Sequence, residues 1–181
     1  MPVPSAFSDE DSRFRRDAEW FISSVSGSIC VTTIGGTAER LLELYLELIV
    51  RVAQEVDLAI VSVRNDAAWR GDAVAVRDIV QAFERARLEL VAYGGVEVTV
   101  STDEDQVSLT PELGIVIYAR TARWAEVLRS FRVLERQVPP PSVWRLHHVA
   151  LTEVGALTES LAVVVDRLQL RGLSRVEDEL P

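Results

Sequence analysis

The chain has no lysine: all 19 of its basic residues are arginine, against 28 acids, and the formal charge is −9 over 181 residues. Without lysine there is no Walker A loop, which needs one to reach the phosphates of a nucleotide. The absence otherwise reads as a coding bias. The acidic balance gives a general nucleic-acid or anionic-membrane role the wrong sign, so nucleic acid and membrane are not expected partners. There is one cysteine, Cys30, which excludes an internal disulfide framework and suits a reducing compartment. "MPVPSAFSDEDSRFRR" at the start has no apolar signal region, and no apolar run approaches the length of a membrane span. The chain therefore reads as cytoplasmic. Only two histidines occur, the adjacent pair His147 and His148. On a strand they face opposite ways and cannot share a metal ion, so neither a metal nor a cofactor is expected.

What is present is globular: 48% of residues are apolar and 26% charged, a balance that excludes a disordered chain and, at this length, fits one domain. We expect a flexible N-terminal arm at 1–8, a single α/β domain at 9–172 and an acidic C-terminal tail at 173–181. Ser8 to Asp11 matches a capping box and starts a helix over about 9–23, with Phe14, Ala18, Phe21 and Val25 on one face. "SICVTTI", 28–34, is a strand, and "GGT" leads from it into a helix from Ala38 to Val56 with Thr37 as N-cap. That helix is apolar on two sides, so it needs a second layer or a second subunit around it. "LAIVSVR", 58–64, is a strand, which makes the first β-α-β unit a parallel crossover. "NDAAWRGD" is then a loop, with Asp72 capping a helix over 73–92 that stops at Gly94-Gly95.

"VEVTVS", 96–101, alternates as a half-exposed antiparallel strand, "TDEDQ" is its acidic turn, and "VSL" with "GIVIYAR" forms the return strand, broken at Gly114. A helix over 121–137, the spacer "PPP", a strand in "SVWRLHHVALT" and a helix over 153–171 complete the chain. The fold class is α/β (α+β), with a mixed sheet of four to five strands and helices packed on it. Its order is α-β-α-β-α-β-β-α-β-α, and dropping the first, third and last helices leaves a ferredoxin-like core.

Candidate sites follow from these placements. Gly35, Gly36 and Thr37 form a glycine turn at a helix start, yet it lacks both the Walker A and the G-x-G-x-x-G pattern, so a tight turn explains it. Asn65 and Asp66 lie at a strand's carboxyl end, where α/β sheets place ligands, or form an Asx turn. A Cys30 nucleophile with a His147 or His148 base would need all of these in one pocket; a small core cysteine is the simpler reading. Asp103 to Asp105 lacks the rest of a cation loop, and "RGD" at Arg70 to Asp72 reads as a helix start.

Charge asymmetry is the most informative feature. Residues 115–150 carry Arg120, Arg123, Arg129, Arg132, Arg136 and Arg145 against Glu126 and Glu135, a local charge of +4 that leaves −13 elsewhere. Arg129, Arg132 and Arg136 fall on one side of the expected helix, a face suited to carboxylates or phosphates, with Trp144 as an anchor. Together these features point to a non-enzymatic, bacterial-type regulatory or interaction protein, an adaptor, immunity-like or chaperone-like binder. It would be a homodimer through Leu44, Leu48 and Ile49, with a protein partner at Arg123, Arg129, Arg132, Arg136, Arg145 and Trp144. The alternative is a small enzyme or ligand-binding sensor with a pocket at Gly35, Gly36, Thr37, Asn65 and Asp66.

Overall fold

The computed structural model describes residues 19–139 and 155–173. Two hairpins frame it. The first pairs β1 (Trp20–Ser26) with β2 (Ile29–Gly35) in antiparallel register. Gly27, at φ +63°, opens the two-residue turn between them, as a type II′ hairpin requires. The second pairs β3 (Glu55–Ser62) with β4 (Ala67–Ala75), and Asp66 takes a positive φ in its turn. Helix α1 (Ala38–Ile49) carries the chain from the first hairpin to the second. Helices α2 (Val76–Arg85) and α3 (Arg87–Tyr93) bring it back to β5 (Val96–Ser101), β6 (Asp105–Leu109) and β7 (Ile115–Ala119), an antiparallel meander that fills the gap between the hairpins. Then α4 (Arg123–Ser130) leads to β8 (Leu134–Glu135), and α5 (Gly155–Arg167) leads to β9 (Arg171–Leu173).

The result is one mixed α+β sheet in the order β8-β1-β2-β7-β6-β5-β3-β4-β9. Every neighbouring pair is antiparallel except β1 with β8. At about 4.8 Å per strand the sheet is about 38 Å wide. Period-2 alternation decides which face is buried. Val56, Leu58 and Ile60 of β3, Val96, Val98 and Val100 of β5, Val107 and Leu109 of β6, and Ile115 and Ile117 of β7 all point one way and are buried. They share a single apolar cluster with Leu42, Tyr45, Leu48, Ile79, Phe83, Leu90, Trp124, Leu128, Leu157 and Leu161 of the five helices. Each such aliphatic side chain contributes about 1.5–3 kcal/mol by leaving water. Tyr45 takes its hydroxyl into this core and donates to the Val98 carbonyl at 2.9 Å. Burial, with a smaller push from Glu97, raises its phenol well above the usual range.

Several expectations are corrected by strand pairing. Residues 20–23 belong to β1, because the turn at Gly27 folds Trp20–Ser26 back onto β2 and tertiary pairing overrides the helical spacing. The Ala38 helix ends at Ile49, and Val56 is a buried strand residue. β2 and β3 run in the same direction but are not neighbours, since the meander stands between them. "AAWRGD" is strand, not loop: Asp72 lies in β4, and the α2 N-cap is Ala75. The 73–92 helix breaks at Ala86, and the return strand is two strands, β6 and β7. The 121–137 helix stops at Ser130, with Arg132 at φ +63° before β8, and the last helix stops at Arg167. With nine strands in this order, the four- to five-stranded sheet and the ferredoxin-like core give way to a wider mixed sheet. The N-terminal arm, the helix before residue 19, the strand in "SVWRLHHVALT" and the tail beyond 173 lie outside the described residues.

Gly35 stands opposite Trp20 in the β1–β2 register, and a Cβ on it would run into the Trp20 indole. The glycine is there for a close aromatic approach, not for a positive φ. Gly35→Ala should therefore lower stability by about 1–3 kcal/mol. In urea titrations followed by circular dichroism, the penalty should shrink when Trp20 is also alanine; strict additivity would disprove the contact.

Candidate functional site

The glycine turn and the Asn65-Asp66 turn do not meet. β2 and β3 are four ladder steps apart, about 19 Å at normal strand spacing. Gly35 lies under Trp20, and a Cβ on Gly36 would press against Glu19. Thr37 holds the N-cap backbone position and accepts the first helical bond from Leu41, without a side-chain cap. Asn65 donates to Thr158 at 3.0 Å, tying the β3–β4 turn to α5. Next to it, Arg64 lies over Gly95 and donates to the Tyr93 and Gly94 carbonyls at the end of α3, and burial lowers its pKa. Each of these groups serves a local structural purpose.

The arginines divide in the same way. Asp105, 5% exposed, begins β6 instead of sitting in the acidic turn. It accepts from Trp124 Nε1 at 2.9 Å and pairs with Arg123, so Arg123 anchors α4 to the sheet. Arg129 pairs with Glu135 at 2.8 Å. Arg132 is exposed, beyond the end of α4, and Arg136 is half-buried, its Nε without a hydrogen-bond partner among the described residues. The stripe expected from Arg129, Arg132 and Arg136 is therefore not a helix face. Arg51, at the other end of this corner, stacks 4.8 Å from the Phe131 ring centre. Glu43 binds Arg87 and Arg40, which hold its carboxyl below the ordinary range, Arg87 more strongly. Arg145, Trp144, His147 and His148 lie outside the described residues.

Leu44, Leu48 and Ile49 are buried within the one chain, under a second layer of the same domain. Their side chains are closed to a second subunit. Cys30 is half-buried on the core side of β2, opposite Val25 and Ala119. Arg70 and Asp72 pair with each other on β4. Among the described residues, no group of three histidine, cysteine or acidic side chains is placed to hold a metal, and no helix is long and apolar enough to cross a membrane.

The remaining large surface is the back of the sheet. Parity places Trp20, Ile22, Ile29, Val31, Val116 and Tyr118 together there, across β1, β2 and β7. None of them belongs to the apolar cluster or packs against it, and Ile29 and Tyr118 are 44% and 43% exposed. Beside this strip runs a row of uncharged polar groups on β5 and β6. Thr99 and Ser108 share a 2.8 Å hydroxyl contact, Gln106 donates to Ser108, and Glu97 accepts from Thr99 at the row's end. Among the described residues, no helix packs on this face. A signal for it was present in the sequence: residues 20–38 contain no charged side chain, unusual where a quarter of the chain is charged.

A shallow cleft of about 420 Å³ lies between β4 and α5, lined by Trp69, Ala162, Val165, Asp166, Gln169 and Leu170. It carries a single carboxylate and no partner group for acid–base chemistry. No family model matches the chain, and no curated protein and no solved structure matches it.

The division of the arginines predicts a split in stability. Asp105→Ala, which leaves Trp124 Nε1 buried without an acceptor, should cost about 2–4 kcal/mol in thermal or urea unfolding. Arg132→Ala should stay within about 0.5 kcal/mol. Equal effects would refute the assignment of Asp105 as a structural anchor.

Proposed function

We propose that the chain is a non-enzymatic protein-binding module that presents the open face of its sheet to a protein partner. The observation that carries this reading is the apolar strip Trp20, Ile22, Ile29, Val31, Val116 and Tyr118, without a formal charge and bordered by a serine- and threonine-rich row. Interface centres have this character: few charges, aromatic anchors and a polar rim. Ser24, Ser26 and Thr33 interleave on the same face with these apolar side chains, of which Ile29 and Tyr118 are the most exposed, a mix suited to a protein contact. The partner fitting it carries a complementary apolar patch. Acidic groups at that partner's margin would meet Arg132 and Arg136 beyond the sheet edge.

Side chains on opposite faces separate this role from a structural one. A photoreactive amino acid at position 118 should yield one stoichiometric protein adduct in source cells, and the same group at Glu84, on the helical side, should not. Tyr118→Asp should abolish the adduct formed from a probe at Val116, with the melting temperature within a few degrees of wild type. Adducts of equal yield from both faces, or none from either, would overturn the proposal.

A further inference from the structure

Among the described residues, the outer edge of the sheet is paired only at one end of β1. β8 lies beside β1 only at Trp20 and Phe21, and the chain then bends at Gln137 and Val138. From Ile22 to Ser26, no described strand lies on the outer side of β1. The direction of its backbone groups follows from the ladder. Leu134 and Arg136 donate to the Glu19 and Phe21 carbonyls at 2.8 Å, so odd-numbered residues turn their backbone outward. By strand alternation, Ser23 and Val25 then present their N–H and C=O groups to the outside. Exposed edges are normally blunted by charge, proline or a bulge. Here the sequence is Ile22-Ser23-Ser24-Val25-Ser26, with no charge, no proline and an unbroken register to β2, and Val25 is 72% exposed.

We propose that a second copy of this chain occupies that edge, its β1 running antiparallel to the first about a two-fold axis at Ser24. Three observations select a second copy over a foreign strand. The strand is self-complementary: Ser24 faces the partner's Ser24, Ser23 faces the partner's Val25 in reciprocal hydrogen-bonded pairs, and Ile22 faces the partner's Ser26. The net charge of −9 sets two copies against each other, except along the charge-free stretch 20–38, which is this hairpin. Finally, β8 limits the pairing to Ile22–Ser26 and leaves only the small Gly27-Ser28 turn of the partner to fit against it. The open faces of the two sheets then join, with Ile22 and Val31 of each copy near the axis. This inference stands apart from the open-face reading and can fail without it.

The register makes it testable. The two Ser24 residues would form a non-hydrogen-bonded pair with Cα atoms about 4.5 Å apart, within disulfide reach. Ser26 and the partner's Ser26 would be about 14 Å apart, out of reach. In a Cys30→Ala background, Ser24→Cys should oxidise to a covalent dimer and Ser26→Cys should not. By sedimentation equilibrium the wild-type protein should be a concentration-dependent dimer. Val25→Pro removes an outward N–H without touching the β1–β2 ladder and should leave a folded monomer, as should Val25→Lys. A wild-type protein monomeric at every concentration overturns the proposal. So does a dimer unaffected by both Val25 substitutions, or one cross-linked by Ser26→Cys and not by Ser24→Cys.

Discussion

Side-chain parity across nine strands is the constraint on which the structure depends. Because alternate residues of a strand point to opposite faces, a one-residue slip in any of the eight pairings would carry apolar side chains to the wrong side of the sheet. The registers agree throughout: Ile34 stands beside Ile115, Ile115 beside Leu109, Leu109 beside Val98 and Val98 beside Ile60. That row runs across the middle of the sheet and forms the floor on which the five helices rest. Parity also creates the opposite surface. Once every second residue is committed to the core, the residues between them line up on the back, and their chemistry is free to serve another purpose. The polar ladder on β5 and β6 and the apolar strip on β1, β2 and β7 are two different uses of that freedom.

Helix α1 is the counterpart on the covered side. It connects the two outer hairpins across the three-stranded meander, so it lies over β6 in the middle of the sheet with α3 packed beside it. This explains why its apolar residues exceed a single stripe: Leu42, Tyr45, Leu48 and Ile49 are all fully buried, while Arg40 and Glu47 keep one edge in water. Its polar edge is not idle. Glu43 links Arg87 of α3 and Arg40, and Arg40 reaches Glu19 just before β1, so one exposed network ties the helical layer to the first hairpin. Surface pairs of this kind contribute only a few tenths of a kcal/mol each. Their use is to fix where the helix lies, while the apolar face supplies the stability.

Much of the fold could be read from the sequence wherever local pattern and tertiary contact agree. The strands read at 28–34, 58–64 and 96–101 overlap β2, β3 and β5, and the body of α1 and its burial on more than one side follow from its all-round apolarity. The errors share a cause. Trp20–Ser26 and Ala67–Ala75 are outer hairpin strands with mixed, half-exposed composition, and such strands are defined by their partners, not by their own periodicity. The expected basic helix face failed for a related reason: Arg132 and Arg136 kept helical spacing in the sequence, but the chain leaves the helix at Ser130 to place β8 against β1. Candidate pockets assembled from sequence were undone by topology, because the meander inserts between β2 and β3. The surface that the structure brings forward was legible only as an absence, the uncharged stretch from Trp20 to Ala38.

That stretch bears on how the two sides of the molecule are related. A strand that is charged on its solvent face is soluble and self-avoiding; a strand without charge is left available. The described acids lie on helices, turns and other strands, among them Glu55, Asp57, Asp72, Glu97, Asp105 and Glu135, and the first hairpin, Trp20 to Gly35, carries none. The core does not require this neutrality, since only Phe21, Thr32 and Ile34 of that hairpin are fully buried. Thr33, Ser24 and Ser26 are exposed and could have been lysine, arginine or glutamate at no cost to packing. The neutrality of the first hairpin is thus the feature on which the proposed contact with another surface rests.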